Sequence, residues 1–234
     1  MIDYQFEFVT GCPGSSWSSI TNSIRQHLVE SYDFSDMRNG QGHVVPDEFY
    51  KKYTKYDPQT LSLKARTSHL GSYFGPGNEY GEKFDCISEN YSRDEFIKEC
   101  LRPFSPYSKP LKQIKSHWFA YNLDWLWENF KGHHLLLIWK DPEKSYHHWH
   151  DVGGWEIKYP NYDWYRNLSN MRDQIKKETD AVLEFADRKN LQWLDYTQNW
   201  FTECYPESDK PYAAPSLFRD DPVWHPKLVR TIIQ

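Results

Sequence analysis

The chain has 234 residues, which is enough for one large domain with a buried core. Its formal net charge of −5 argues against a nucleic-acid backbone as the main partner, because phosphate binding usually leaves a basic footprint. The four cysteines form no CxxC pair, and the longest apolar stretch, Leu135 to Trp139, is far too short to span a bilayer. The first residues do not resemble a signal peptide. We therefore expect a cytoplasmic protein with neither nucleic acid nor membrane as a partner, and of undetermined oligomeric state.

The first predicted unit along the chain is a strand, a small-residue loop and a helix. Aromatic residues alternate with polar ones from Tyr4 to Val9, which is typical of a strand. The following run, Thr-Gly-Cys-Pro-Gly-Ser-Ser, cannot continue that strand. From Trp17 to Ser31, apolar residues recur at helical spacing, and the preceding serines can cap a helix there.

The segment from residue 33 to residue 110 has a different composition, rich in Gly, Pro, Asp, Ser and Tyr. We predict a loop-rich insertion into a single domain of residues 1–234, with one clear helix from Ser92 to Leu101. A stretch this long is either a functional cover or contains elements that its pattern does not reveal. Its glycine-rich piece, His69 to Gly81, is either a substrate-side loop or an ordinary surface excursion.

Regular structure returns after residue 110. Leu111 to Lys115 predicts a short strand, and Ala120 to Phe130 predicts a helix. The run His133 to Trp139 contains four consecutive aliphatic residues, which is typical of a central parallel strand. The remaining predictions are a helix opened by Pro142, a long helix from Asp163 to Arg188 and a short strand from Leu191 to Leu194. Strands that alternate with helices predict an α/β fold, with a parallel sheet covered on both faces.

The loop between the first strand and the first helix, within Thr10 to Ile20, is a candidate anion-binding site. A strand-to-helix loop presents backbone N–H groups at the positive end of a helix dipole, and small residues let the backbone approach an anion. The segment contains no lysine, so it is not the Walker A loop of a P-loop kinase. An ordinary connection between a strand and a helix explains the segment equally well.

Three segments of the chain, taken in order, resemble the sulfotransferases that use 3′-phosphoadenosine 5′-phosphosulfate (PAPS). The first is this loop, which is similar to the family's 5′-phosphosulfate pattern T-x-P-K-S-G-T-T-W or G-x-P-R-S-G-T-S. Thr10, Gly11, Pro13 and Ser15 fall at matching places. Gly14 stands where the family has a basic residue.

The second and third segments follow later strands. Lys115-Ser116-His117 is similar to the family's K-T-H segment, and the strand ending in Lys140-Asp141-Pro142 is similar to its 3′-phosphate segment, R-[ND]-P. Ser145 then begins a run similar to S-Y-Y-H-F, although it lies nearer to Lys140 than in the family, and His148 stands where a strict count places the serine. The chain departs from the family in lacking a clear R-K-G segment near its C-terminus.

The resemblance implies a three-layer, P-loop NTPase-like fold of the sulfotransferase type. It implies transfer of a sulfuryl group from PAPS to a hydroxyl or amine of a small-molecule or carbohydrate acceptor, with release of 3′-phosphoadenosine 5′-phosphate (PAP). His117 would be the general base, and Lys115 would stabilise the leaving phosphate or the transferring group. Lys140 and Ser145 would hold the 3′-phosphate. The 5′-phosphosulfate would be held by Pro13, Gly14, Ser15, Ser16, Trp17, Ser18 and Ser19.

Other interpretations stay open. Because Gly14 removes the basic side chain of the loop, the chain could be a sulfotransferase-fold protein that binds a nucleotide or another ligand without catalysis. Each candidate also has an ordinary structural role, since lysines at strand ends are often solvated. The clustered histidines His147, His148 and His150 suggest a metal, but adjacent histidines point different ways on a helix and no carboxylate spacing completes a site. We predict no metal site.

Overall fold

The computed structural model describes residues 4–17, 20, 21, 24, 28, 32, 33, 87–101, 104, 110–151, 167–196, 200–206 and 225–234. The candidate residues Ser18 and Ser19 and most of the predicted insertion, including His69 to Gly81, lie outside this part of the chain. No helix within the described ranges is long and apolar enough to cross a bilayer.

The strands of the described residues form one sheet. They are β1 (Gln5–Gly11), β2 (Tyr32–Asp33), β3 (Leu111–Lys115), β4 (His134–Trp139), β5 (Leu194–Asp195) and β6 (Lys227–Ile232). Their order across the sheet is β2-β3-β1-β4-β6-β5. The first four are parallel to one another, whereas β6 runs antiparallel to both β4 and β5. The sheet is therefore mixed and mostly parallel, and the prediction of an entirely parallel sheet is wrong at β6.

The helices fall between and after these strands. Helix α1 begins at Trp17 and includes the described residues Ile20, Thr21 and Ile24. The later helices are α2 (Ile87–Asn90), α3 (Arg93–Leu101), a 3₁₀ helix (His117–Tyr121), α4 (Leu123–Asn129), α5 (Pro142–Asp151), α6 (Leu168–Arg188) and α7 (Trp200–Cys204). The helix predicted from Ala120 is thus a 3₁₀ turn followed by α4. Neither α2 nor α7 was predicted, because each is too short to show helical periodicity.

Local sequence explains where the main helices begin. Ser92 and Glu95 exchange hydrogen bonds as a capping box ahead of α3, with Ser92 N 2.9 Å from Glu95 Oε2. Pro142 occupies the first position of α5, as its fixed φ and missing N–H favour. The side chain of Asn167 accepts hydrogen bonds from the N–H groups of Ser169 and Asn170. Helix α6 consequently begins at Leu168 rather than at Asp163.

Alternate residues of the central strands are buried on opposite faces of the sheet. On the first, which we call face A, Phe6, Phe8, Leu135 and Leu137 pack with the 3₁₀ helix, α3, α4 and α6. On the second, face B, the residues Val9, Leu136, Ile138 and Leu228 pack with α1 and α7. The prediction of an α/β sheet with helices on both faces is therefore confirmed. The coverage of both faces also explains the unbroken apolar run of β4, which has no solvent-facing side.

Candidate functional site

The candidate site lies at the carboxyl ends of β3, β1 and β4. Val9 pairs with Lys115 and Gly11 pairs with Ile138, so the residues that follow these three strands emerge side by side. Helix α1, which follows β1, lies on face B, whereas the 3₁₀ helix that follows β3 lies on face A. The carboxyl ends of the strands, where such connections diverge, are the usual ligand position in open α/β sheets.

A tight turn forms the loop that leaves β1. The Ser15 N–H donates to the Cys12 carbonyl at 3.1 Å, Pro13 occupies the second position and Gly14 the third, with φ of 79°. These are the features of a type II turn, which needs a left-handed residue at the third position. Ser16 also has a positive φ, 72°. Left-handed conformations in a loop help to turn successive N–H groups toward one point, and such concave arrangements bind anions.

Gly14 has no room for a side chain. A Cβ atom placed on it would lie 1.9 Å from the carbonyl oxygen of Ser145 in the first turn of α5. A lysine or arginine at this position would therefore have to displace α5. The missing basic residue of the loop is a consequence of close packing between the loop and this helix.

Three hydroxyl groups of the loop region are buried without a hydrogen-bond partner among the described residues. They belong to Thr10, Ser15 and Ser16. An unpaired buried hydroxyl costs roughly 1–3 kcal/mol, so each of the three gains from a bound acceptor. All three can donate to an anion, and the residues of the loop therefore fit a phosphate or phosphosulfate group.

Lys140 is buried and reaches back to the loop. Its Nζ lies 3.2 Å from the carbonyl oxygen of Gly14 and 3.2 Å from Nδ1 of His148. The same His148 nitrogen lies 3.0 Å from that carbonyl. His148, rather than the Ser145 side chain, thus lies beside Lys140, in agreement with its position in the sequence pattern. The Ser145 hydroxyl is also buried, and its backbone packs on Gly14.

Lys115 and His117 reach the loop through Trp17. The Lys115 ammonium lies 5.7 Å from the centre of the Trp17 ring, within the range of a cation–π contact. The His117 ring meets the same indole edge-to-face at 4.8 Å. The N–H of Ser116, between them, donates to the Val9 carbonyl at 3.0 Å and ties the end of β3 to β1. Trp17 is itself part of the face B core, so its indole forms a wall of the site.

Glu178 is a neighbour of the site that the sequence analysis did not identify. It is 1% exposed, and its Oε2 lies 3.5 Å from Nδ1 of His117. Its other oxygen accepts a hydrogen bond of 2.9 Å from Gln174 Nε2, which also contacts the Tyr121 hydroxyl. The spacing of residues in the sequence does indicate that Glu178 is buried. Glu178 continues the buried stripe of α6, lying three residues after Ile175 and four before Val182.

Cys12 contributes packing, and the α5 histidines His147 and His150 lie toward the surface. Burial raises the pKa of the Cys12 thiol to about 11, so it stays protonated at neutral pH, and it packs with Met171 and Ile175 of α6. His147 is exposed, and His150 faces Asp151 at 3.8 Å. Within the described ranges, no group of three or more His, Cys, Asp or Glu side chains is arranged to hold a metal ion.

Comparisons with known proteins identify no relative of this chain. No protein-family model matches it, and no match is found among curated proteins or among solved structures. A function for the chain therefore has to be argued from the site itself.

Proposed function

We propose that the chain is a sulfotransferase that moves a sulfuryl group from PAPS to a hydroxyl or amine of a small-molecule or carbohydrate acceptor. The observation that carries this proposal is that the second and third sequence segments both contact the loop, which is the first. Trp17 of the loop meets Lys115 and His117, while Gly14 meets Lys140 and the backbone of Ser145. These segments are far apart in the sequence, and the parallel strands β3, β1 and β4 bring them to one edge of the sheet.

The chemistry of the loop supports an anionic ligand. The unpaired hydroxyls of Thr10, Ser15 and Ser16 would donate to the 5′-phosphosulfate, together with the backbone of the turn. Buried Lys140 would add positive charge for the 3′-phosphate, with His148 beside it. Lys115 and Lys140 are both buried at the ends of their strands, so a chain of net charge −5 can still present positive charge locally.

The catalytic roles would fall on His117 and Lys115. PAPS, when bound, supplies the activated sulfuryl group. His117 is partly exposed and would take the proton from the acceptor hydroxyl or amine. Lys115 is buried against Trp17, where its charge would be only weakly screened by water and would stabilise negative charge that develops at this edge of the sheet.

One observation favours a second candidate function, a nucleotide-binding protein of the same fold without transfer activity. The position of the usual basic residue, Gly14, is closed by the Ser145 carbonyl. A protein that only binds PAP-like ligands would not need that charge, whereas an enzyme must supply it from Lys115 or Lys140.

Binding is tested by calorimetric titration with PAP. We expect saturable binding and thermal stabilisation of the chain, with weaker binding of adenosine 5′-phosphate, which lacks the 3′-phosphate. A ligand at 100 times its Kd stabilises the folded state by about 2.7 kcal/mol. Lys140→Met should weaken PAP binding, whereas Lys131→Met, at an exposed turn, should not. No binding at millimolar PAP would refute the cofactor assignment.

Transfer is tested with isotopically labelled PAPS and a panel of simple phenols, amines and saccharides. We expect a labelled product with at least one class. His117→Ala should reduce transfer by roughly 10²–10⁴-fold and leave PAP binding nearly intact. PAP binding without a product from any class would favour the binding-only function. Transfer that survives His117→Ala would exclude His117 as the base.

A further inference from the structure

The buried carboxylate of Glu178 forms a link between helix α6 and the candidate base. Its Oε2 faces His117 Nδ1 at 3.5 Å, and its Oε1 accepts from Gln174 at 2.9 Å. Gln174 is also buried, and the same Nε2 donates to the Tyr121 hydroxyl. Among the described residues, His117 is the only group within ion-pair distance of this carboxylate that can carry a positive charge.

This arrangement needs an explanation beyond helix packing. A buried carboxylate is costly unless it is paired and hydrogen-bonded, and an apolar residue at position 178 would continue the stripe of Ile175 and Val182 without that cost. Gln174 satisfies only one carboxylate oxygen. The other oxygen lies 3.5 Å from Nδ1 of the imidazole, a group whose charge changes during acid–base chemistry.

We propose that Glu178 is a positioning residue for His117. It holds the proton of the neutral imidazole on Nδ1, so that Nε2 carries the lone pair that accepts a proton. This inference rests on the proposed function, in which His117 is the base. The histidine lies at the start of the 3₁₀ helix and Glu178 lies on α6, so the carboxylate faces the ring from a different element at ion-pair distance.

In the proposed step, the proton that leaves the acceptor is taken up by His117. The acceptor O–H or N–H bond breaks, its electron pair stays on the acceptor atom, and the proton forms a bond to Nε2. The imidazolium that results has a proton on each nitrogen, and its positive charge lies beside the Glu178 carboxylate. The Glu178 carboxylate would stabilise the imidazolium electrostatically.

The first test uses the wild-type chain and needs neither substrate nor variant. Long-range ¹H–¹⁵N NMR of the histidine ring nitrogens reports which nitrogen of neutral His117 carries the proton. We expect the Nδ1–H tautomer. A predominant Nε2–H tautomer in the folded wild-type chain would overturn the inference whether or not the chain is a transferase.

The second test compares two Glu-to-Gln changes on the same helix. Glu178→Gln removes the buried charge with little change of shape, and the exposed Glu184→Gln is the matched control. In the Glu178 variant we expect the Nε2–H tautomer of His117 to appear and kcat to fall by on the order of 10²-fold, with KM nearly unchanged. Glu178→Asp should recover part of the loss, and the control should leave both readouts unchanged.

The outcomes separate this inference from the proposed function. An unchanged tautomer together with an unchanged kcat in Glu178→Gln would reduce Glu178 to a packing role. Absence of PAP binding and transfer in the wild-type chain would refute the sulfotransferase proposal. The tautomer measurement would still decide whether Glu178 orients His117.

Discussion

Gly14 is the residue at which the loop after β1 and helix α5 come closest together. Its left-handed φ of 79° and the Ser145 carbonyl at 1.9 Å from a built Cβ act independently against any side chain. The strain of a left-handed φ is a property of the backbone, whereas the close contact with the Ser145 carbonyl depends on where α5 lies. A comparison of two glycines can separate them.

We predict that Gly14→Ala destabilises the chain by roughly 2–5 kcal/mol, the sum of left-handed strain and overpacking. Gly132→Ala is the matched control, because Gly132 has a φ of 82° but nothing within 4 Å of a built Cβ. It should cost only the strain, roughly 1–2 kcal/mol. Chemical denaturation measures both. Equal losses in the two variants would show that α5 does not pack on Gly14 as described.

At the residue scale, the sequence predicted the positions of the loop, Lys115 and Lys140 at the ends of strands, but not the residues that they contact. The loop, Lys115 and Lys140 follow strands that were predicted to be parallel, and the carboxyl ends of parallel strands share one edge. The Pro-Gly step likewise predicts its turn. Glu178 could not be placed this way, because α6 reaches His117 by packing across face A, and no local pattern specifies that contact.

Strand β6 is the element that departs most from the predicted sheet. The side chain of Arg230, a residue of this strand, lies on face B, and its Nε is 3.0 Å from Oε1 of Glu7. Glu7 is fully buried and also accepts from Gln113 at 2.7 Å and from the Tyr205 hydroxyl at 3.1 Å. Arg230 also donates to the Cys204 carbonyl at 2.6 Å. This polar group joins β1, β3, β6 and the end of α7.

We predict that Arg230→Met destabilises the chain by roughly 3–5 kcal/mol, because it leaves the Glu7 carboxylate buried without its counter-ion. The double variant Glu7→Gln with Arg230→Met should recover much of that loss, since no unpaired charge remains. Urea denaturation of the three proteins gives both values and the coupling between the sites.

The matched control for this prediction is Arg188→Met. Arg188 pairs with Asp124 at 2.8 Å, but both side chains are more than half exposed, so water already solvates them and little stability should be lost. Similar losses from Arg188→Met and Arg230→Met would contradict the special role of the buried pair.

The same polar group explains why β6 was not predicted. Its sequence, Lys-Leu-Val-Arg-Thr-Ile, shows neither alternation nor a continuous apolar run, because a charged residue is buried among apolar ones. In β1, Glu7 likewise occupies a position that alternation would assign to solvent. By contrast, β4 was predicted well because both of its faces are covered by apolar contacts, and β3 was predicted with its observed bounds.

At the scale of the whole molecule, the site depends on both faces of the sheet. Trp17 belongs to the core of face B, whereas His117 lies beside α6 on face A, and the two rings meet across the end of β1. Loss of either core would therefore disturb the site. Binding and transfer can be measured only while the chain is folded. The structure also identifies a residue that makes the stability of the fold depend on pH.

His133 makes the stability of the fold depend on pH. It lies in the turn before β4, and its Nδ1 accepts a hydrogen bond of 2.9 Å from the N–H of Phe6 in β1. Its ring also stacks on Phe6 at 5.4 Å and meets Phe130 edge-on at 5.5 Å. Burial, and then the positive charges of Arg93 and His134, lower the pKa of His133 to about 4. Protonation would replace the acceptor with a second donor facing the Phe6 N–H.

Because the folded-state pKa of His133, about 4, lies below its ordinary value of 6.5, the unfolded chain takes up this proton first as the pH falls. The contribution of His133 to stability is therefore complete above about pH 6.5 and is lost progressively as the pH falls toward about 4. In His133→Asn, the amide oxygen can accept from Phe6 without titrating, so we predict a shallower fall of Tm over this window than in the wild type. The exposed His147→Asn serves as the control and should follow the wild type. Parallel Tm curves for wild type and His133→Asn would show that protonation of His133 does not limit stability in acid.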